Sequence, residues 1–182
     1  MKTFFTSLIV LFSFSYYCAA QRLHMELSSP DGWKVWLDEK AKWKEDKLFL
    51  PDELELSDVP VNLPTCCWTD LYKNRGKDCG VPTTVEEQFG TAHDWSYHGV
   101  SWFYREFEVS PEWKNKKGFL TIEKYTHRVE VFVNEQLVGY DAIGLLPYQC
   151  DITDVLKPGE KTVYHYVSPR LAVLEAGKIS IR

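Results

Sequence analysis

Two short stretches combine aromatic and polar side chains in the way that recognition chemistry requires. His93-Asp94-Trp95-Ser96-Tyr97-His98 reads as a loop, and Tyr140-Asp141 follows a tight turn. Aromatic faces stack on sugar rings, while neighbouring carboxylates, hydroxyls and imidazoles fix the ring hydroxyls. Trp95, Tyr97, His98, Tyr140 and Asp141 are therefore the candidate carbohydrate contacts. A competing reading gives Trp95 and Tyr97 to the cover of a core or to a partner surface, where exposed aromatics often serve.

Bond-breaking chemistry has less to stand on. Glu86 and Glu87 are adjacent, but in an extended segment neighbouring side chains point to opposite faces, so both read as solvated charge. Neither a Gly-x-Ser-x-Gly elbow, a phosphate-binding loop nor a His-Glu-x-x-His helix occurs in the sequence. His93, His98 and His127 are dispersed, and the cysteine spacing fits no common zinc finger, so neither a metal nor a cofactor is expected. With 26 acidic against 21 basic residues the chain has a net charge of −5 and no arginine run. That balance excludes nucleic acid as a natural partner and disfavours an anionic membrane surface.

The first twenty residues read as a targeting segment. Lys2 gives a positive start, Phe4 to Phe14 is apolar, and Cys18-Ala19-Ala20 places small residues ahead of Gln21, where cleavage is expected. The apolar run is short for a membrane span. Attachment of lipid at Cys18 is a second reading, weakened by the bulky Tyr16 and Tyr17 before it. Export makes the periplasm or the exterior the expected location. Cleavage leaves residues 21–182 as a single domain with four cysteines, Cys66, Cys67, Cys79 and Cys150. An oxidising compartment permits disulfides. Three pairings are open, with Cys66 or Cys67 to Cys79 the first to seek, and all four as buried thiols the competing reading.

The elements that must position the candidate residues read as strands. Turn residues recur every ten or so positions among plentiful aromatics, which predicts an all-β sandwich. Trp33, Val35 and Leu37 share one face of an early strand. Asp38 to Asp46 is charged and is expected to make one or two helical turns with Trp43 inward, followed by a short extended piece, Leu48 to Pro51. Pro51, Pro60, Pro64 and Pro82 disfavour regular structure over 51–82, which reads as an irregular arm over the sandwich. Val100 to Val109 alternates with large apolar groups on both faces, as in a strand covered on both sides. Residues 111–118 read as a solvated turn, Phe119 to Tyr125 as a strand, and Val129, Val131 and Val133 as the inward face of another. Asn134-Glu135-Gln136 turns that strand back, since Asn tolerates the left-handed conformation. Asp151 to Leu156 predicts a short helical turn, and Thr162 to Val167 a strand after Lys157-Pro158-Gly159-Glu160.

Three of these segments carry a resemblance. Tyr97-His98-Gly99-Val100-Ser101-Trp102-Phe103-Tyr104-Arg105-Glu106-Phe107, then Val131-Phe132-Val133-Asn134-Glu135-Gln136-Leu137-Val138-Gly139, then Pro147-Tyr148-Gln149-Cys150-Asp151-Ile152-Thr153 resemble, in order, motifs of the amino-terminal sugar-binding domain of glycoside hydrolase family 2. The resemblance spans roughly residues 31–162, with Glu135 standing where the family has a turn glycine. It implies a jelly-roll, galactose-binding-domain-like β-sandwich and a role in carbohydrate breakdown. In that family both catalytic carboxylates come from a barrel beyond this domain. A retaining pair must sit about 5 Å apart, and nothing in this sequence matches their motifs. The resemblance therefore makes carbohydrate, or a missing catalytic barrel, the expected partner and the chain itself non-catalytic, with a free-standing binding module as the alternative. Gly99 and Gly139 suit tight backbone positions, Arg105 is expected to pair with a carboxylate, and Asp151 and Thr153 to cap a turn. Residues 161–169 copy the family's next strand poorly. Leu171 to Leu174 and Lys178 to Ile181 read either as a closing strand pair or as sequence after a damaged reading frame.

Overall fold

The computed structural model describes residues 24–42, 55–90, 97, 99–126, 128–169 and 178–181. The targeting segment, Trp43, Leu48 to Pro51 and Leu171 to Leu174 lie outside the described residues.

Among the described residues ten strands form two antiparallel sheets. In chain order they are β1 (His24–Glu26), β2 (Ser29–Asp38), β3 (Lys77–Val81), β4 (Val100–Glu108), β5 (Gly118–Ile122), β6 (Val129–Val133), β7 (Gln136–Asp141), β8 (Tyr148–Asp151), β9 (Lys161–Pro169) and β10 (Lys178–Ile181). The larger sheet has the order β3-β2-β4-β9-β6-β7 and the smaller β1-β10-β5-β8. Between them lies the main core. It takes Trp33, Val35 and Leu37 from β2, Phe103 and Phe107 from β4, Val129, Val131 and Val133 from β6, and Tyr164 from β9. The smaller sheet answers with Leu120, Ile122, Ile179 and Ile181. Period-two alternation on β2 and β6 places these residues inward, and the two inner faces interdigitate as in other sandwiches. The all-β sandwich expected from the sequence is the fold of the chain.

The larger sheet is covered on its outer face too. Val100, Trp102, Tyr104 and Phe132 form a second cluster there with Leu71 of helix α1 (Trp68–Asn74). Trp68, Leu71 and Tyr72 fall at i, i+3 and i+4, so one face of this short helix is apolar. Trp68 meets Trp102 edge-on at 5.5 Å between ring centroids and Phe132 at the same separation. The helix also ends on the sheet: the Tyr104 hydroxyl lies within donating distance of the carbonyls of Leu71 (3.0 Å) and Arg75 (2.7 Å), of which the Leu71 carbonyl also accepts from the Arg75 amide and the Arg75 carbonyl lies past the last helical bond. Burying Leu71 completely contributes about 2 kcal/mol. Residues 55–82 are thus more regular than their prolines suggest, holding α1, the edge strand β3 and a 3-10 turn at Leu56–Asp58. Helix α2 (Val85–Phe89) follows, started by a reciprocal capping box between Thr84 and Glu87.

Several local expectations meet their outcome here. Asp38 closes β2 instead of opening a helix, because its carboxylate is buried and accepts from the Thr65 amide at 2.8 Å and from the Thr65 hydroxyl. Residues 111–118 turn as expected, but Trp113 is buried on the main core. Asn134 and Glu135 both have positive φ, 50° and 70°. The Asn134 side chain then ties this hairpin to the next turn, donating to the Val155 carbonyl (2.8 Å) and accepting from the Val163 amide (3.1 Å). Asp151 accepts from the Thr153 amide at 2.9 Å, so the expected turn cap forms. Arg105 finds a carbonyl where a carboxylate was expected: among the described residues it donates to Leu27 O at 2.8 Å, beside the Trp33 indole on the same oxygen. At Gly139 a Cβ would lie 2.8 Å from the Tyr148 ring, which explains the glycine.

The cysteines correct the disulfide expectation. Cys66, Cys67, Cys79 and Cys150 are all free. Cys79 packs between the sheets, whereas Cys66 packs with the outer cluster. The larger sheet separates them, so the pair first sought cannot close without disrupting it. Strand β9, a poor copy of the family motif, is fully paired between β4 and β6. Lys178 to Ile181 forms β10, between β1 and β5, with Ile179 wholly buried.

Candidate functional site

Of the five sequence-derived candidates, Trp95 and His98 lie outside the described residues. Tyr97 is half-buried against the main core, and its hydroxyl donates to the Val100 carbonyl at 3.0 Å. Burial pushes its phenol well above the ordinary tyrosine range. Tyr140 is buried on β7, with the Arg128 guanidinium carbon 4.8 Å from its ring centre. Asp141 holds the loop that follows: Oδ2 accepts from the amides of Ile143 (2.9 Å) and Gly144 (3.0 Å) and from the Tyr125 hydroxyl. Tyr97 precedes β4, and Tyr140 and Asp141 end β7 at the same end of the sheet. Their strands are separated by β9 and β6, which at the usual strand spacing is about 14 Å. The loop held by Asp141 carries Ile143, Leu145 and Leu146, exposed by 65%, 82% and 76%.

Beneath Tyr140 lies a buried polar network. Arg128 pairs with Glu130, both essentially inaccessible. Asn62 donates its backbone amide to Glu130 Oε2 (2.8 Å) and its side-chain amide to Oε1 (2.7 Å), and Arg128 reaches the Pro60 carbonyl at 3.0 Å. Loss of solvation raises the Glu130 carboxyl above the ordinary range, opposed by Arg128 and the two Asn62 bonds. The network clamps the 60–62 segment onto β6. It is closed to solvent, so its role is to hold the second layer in place.

Concave surface lies elsewhere among the described residues, around Trp36 near the end of β2. One hollow of about 330 Å³ is lined by Trp36, Asp38, Glu39, Lys40, Thr65 and Arg75 among others. A second, of about 320 Å³, takes Gly76, Lys77 and Phe89 and shares Trp36, Leu37 and Glu39 with the first. Three elements converge to build the pair: the end of β2, the residues leaving α1, and the end of α2. Trp36 is only partly buried, and the Arg75 guanidinium carbon stands 5.8 Å from its ring centre. Arg75 Nε is held by Asp70 at 2.9 Å, and Asn74 donates to the same carboxylate at 2.8 Å. Those bonds, first that from Asn74, lower the Asp70 carboxyl. Lys77 is anchored through the Gln88 carbonyl. Glu39 and Lys40 are exposed at the rim. The signal for this site was Trp36 itself, a tryptophan on the face of β2 opposite the core row, flanked by Lys34 and Asp38. Among the described residues no three His, Cys, Asp or Glu side chains gather to hold a metal ion, and no described helix is long and apolar enough to cross a membrane.

Residues 64–172 match the family described as glycosyl hydrolases family 2, sugar binding domain. The chain belongs to this family. A β-galactosidase of Thermoanaerobacter pseudethanolicus is 35% identical over 63 residues, which are 35% of this chain and 8% of the relative. A putative β-glucuronidase of Formosa agariphila is 26% identical over 157 residues, 86% of this chain and 13% of the relative. Among solved structures, a β-glucuronidase of Ruminococcus gnavus superposes with a TM-score of 0.65 at 18% identity, covering 88% of this chain and 29% of that one. The chain thus spans less than a third of the length of these relatives.

Proposed function

We propose that the chain is a non-catalytic carbohydrate-recognition module that works with a family 2 glycosidase catalytic domain. The family match across the sandwich carries this reading. The relatives' printed activities, β-galactosidase and β-glucuronidase, make β-linked galactosides and glucuronides the substrate class to be served. The exposed Ile143, Leu145 and Leu146 support docking onto a catalytic domain, since contiguous apolar surface of this kind marks an interaction site. Lys2 and the apolar run from Phe4 to Phe14 support export, with cleavage ahead of Gln21. Of the five sequence-derived contacts, Trp95, Tyr97, His98, Tyr140 and Asp141, the three that are described, Tyr97, Tyr140 and Asp141, lie at one end of the larger sheet. Tyr140 and Asp141 serve that end by holding the apolar loop.

The test uses the purified full chain. It should leave p-nitrophenyl β-galactoside and p-nitrophenyl β-glucuronide unhydrolysed, yet bind lactose or methyl β-glucuronide saturably in calorimetric titration. Turnover by the chain alone, or absence of saturable binding to either sugar, overturns the reading.

A further inference from the structure

We infer that the paired hollows around Trp36 form a carbohydrate cleft that takes two consecutive rings of a β-linked glycan. This deepens the carbohydrate-recognition reading and rests on it.

Each hollow, at about 330 and 320 Å³, sits at the low end of the range for small-molecule sites, the size for one pyranose ring. Because they share Trp36, Leu37 and Glu39, they are contiguous. A tryptophan offers the largest apolar face for the C–H side of a sugar, and polar groups at its margin fix the hydroxyls. Here those groups differ along the cleft. Arg75 lines the first hollow, and its Nε is already committed to Asp70, which fixes the guanidinium plane beside Trp36 while its terminal nitrogens have no described partner. A fixed fork of this kind suits paired oxygens on one ring. Glu39, at the junction of the hollows, is an acceptor for hydroxyl protons from either ring. Lys77 is held to the Gln88 carbonyl and stands 5.6 Å from the centre of the Phe89 ring, which together wall the second hollow.

The cleft is also stiff. Asp38 beside Trp36 is bonded twice to Thr65, and the carbonyl of Arg75 accepts from Tyr104. Pre-positioned side chains lower the ordering cost that weakens sugar binding. The cleft lies at the end of β2, which the strand register places at the same end of the larger sheet as the Ile143–Leu146 loop but four strands away from β7.

The experiment titrates lactose and methyl β-D-galactoside into the full-length chain and into Trp36→Ala, Trp36→Phe and Glu39→Ala, with circular dichroism checking each fold. Glu39 is exposed, so its variant keeps the test valid if Trp36→Ala unfolds. The inference expects lactose to bind about tenfold more tightly than the single-ring glycoside. It expects Trp36→Ala to weaken lactose about tenfold or more, Trp36→Phe to retain most affinity, and Glu39→Ala to weaken lactose several-fold. Lactose binding unchanged in folded Trp36 and Glu39 variants would move recognition to another surface and overturn the cleft while leaving the module reading intact. Saturable binding of methyl β-glucuronide alone, with neither galactoside bound, would overturn the cleft and leave the module reading intact, and no saturable binding of lactose, methyl β-D-galactoside or methyl β-glucuronide to the wild-type chain would overturn both.

Discussion

Acidification should release stability through a single buried imidazole. His165 on β9 is fully inaccessible and lies among Trp68, Tyr72 and Tyr104, whose ring centres stand 4.9, 5.0 and 5.9 Å away. Neither ring nitrogen has a hydrogen-bond partner among the described residues. Burial pushes its pKa down from 6.5 to about 3. The folded value lies below the unfolded one, so as pH falls the unfolded chain takes up the proton first. The contribution is therefore whole above pH 6.5 and is lost between 6.5 and about 3. One proton gives a slope of about 1.4 kcal/mol per pH unit, hence about 3 kcal/mol by pH 4.5 and approaching 5 kcal/mol near pH 3. Against a typical total of 5–15 kcal/mol, that loss is large enough to unfold a marginal domain. The assay is urea denaturation of wild type, His165→Phe and His165→Leu at pH 7.5, 5.5 and 4.5. Repacking costs shift the variant curves by the same amount at every pH, whereas the acid loss is carried by the imidazole alone. The wild type should lose about 3 kcal/mol more than either variant between pH 7.5 and 4.5. Parallel curves in all three proteins would refute the argument and place a hydrated or bonded imidazole at this site.

Glu130→Ala should cost about 3–5 kcal/mol in chemical denaturation, because it leaves the Arg128 charge buried without its counterion; a loss under about 1 kcal/mol would mean that water reaches the network. Glu135→Gly should gain about 0.5–1 kcal/mol by relieving the φ of 70° at a non-glycine turn residue, once the greater freedom of glycine in the unfolded chain is subtracted. A loss of stability instead would assign the Glu135 side chain a contact stronger than the backbone strain. Iodoacetamide under native conditions should label the exposed Cys67 first, while Cys79 and Cys150, pushed by burial to about 11 and about 12, label only in denaturant. Melting should be indifferent to reductant, and a reductant-dependent melting temperature would contradict the free thiols.

Strand alternation was readable wherever one face of a strand was apolar and the other had its own reason to be buried. Val100 to Val109 announced a doubly covered strand because Trp102 and Tyr104 faced away from Phe103 and Phe107. What covered them could not be read. Helix α1 has only seven residues between turn-forming neighbours, and its three aromatic and aliphatic contacts look like any others until Trp102 and Phe132 are placed beneath them. The same limit governed the candidate site. Tyr140 and Asp141 look like a solvated pair after a turn, but Arg128 stacks on Tyr140 and the Asn62 segment seals the pocket from 68 residues upstream of Glu130. No local pattern carries that information. Trp36 was legible as a strand residue, but its exposure depends on where Arg75 and Phe89 come to rest. The pairing of Cys66 or Cys67 with Cys79 was sought first because closeness in sequence did not reveal the sheet lying between Cys66 and Cys79; of the two readings, free thiols is the one the structure has, with Cys67 exposed and not buried.

The position of β9 and β10 has a consequence for how the chain is made. Both are synthesised after the other eight described strands, yet each occupies an interior place, β9 between β4 and β6 and β10 between β1 and β5. A nascent chain that has emerged only through β8 holds the β3-β2-β4 ribbon and the β6-β7 hairpin with their facing edges open, and β1 has no neighbour at all. Unpaired edges of this kind invite pairing with other chains, and the long-range ladders that close them form slowly. Translation can therefore lay down most of this sandwich without committing it to a fold. Commitment arrives when residues 161–181 are free to insert, so a stall or a chaperone hold just before that point controls whether the product is a soluble domain or an aggregate.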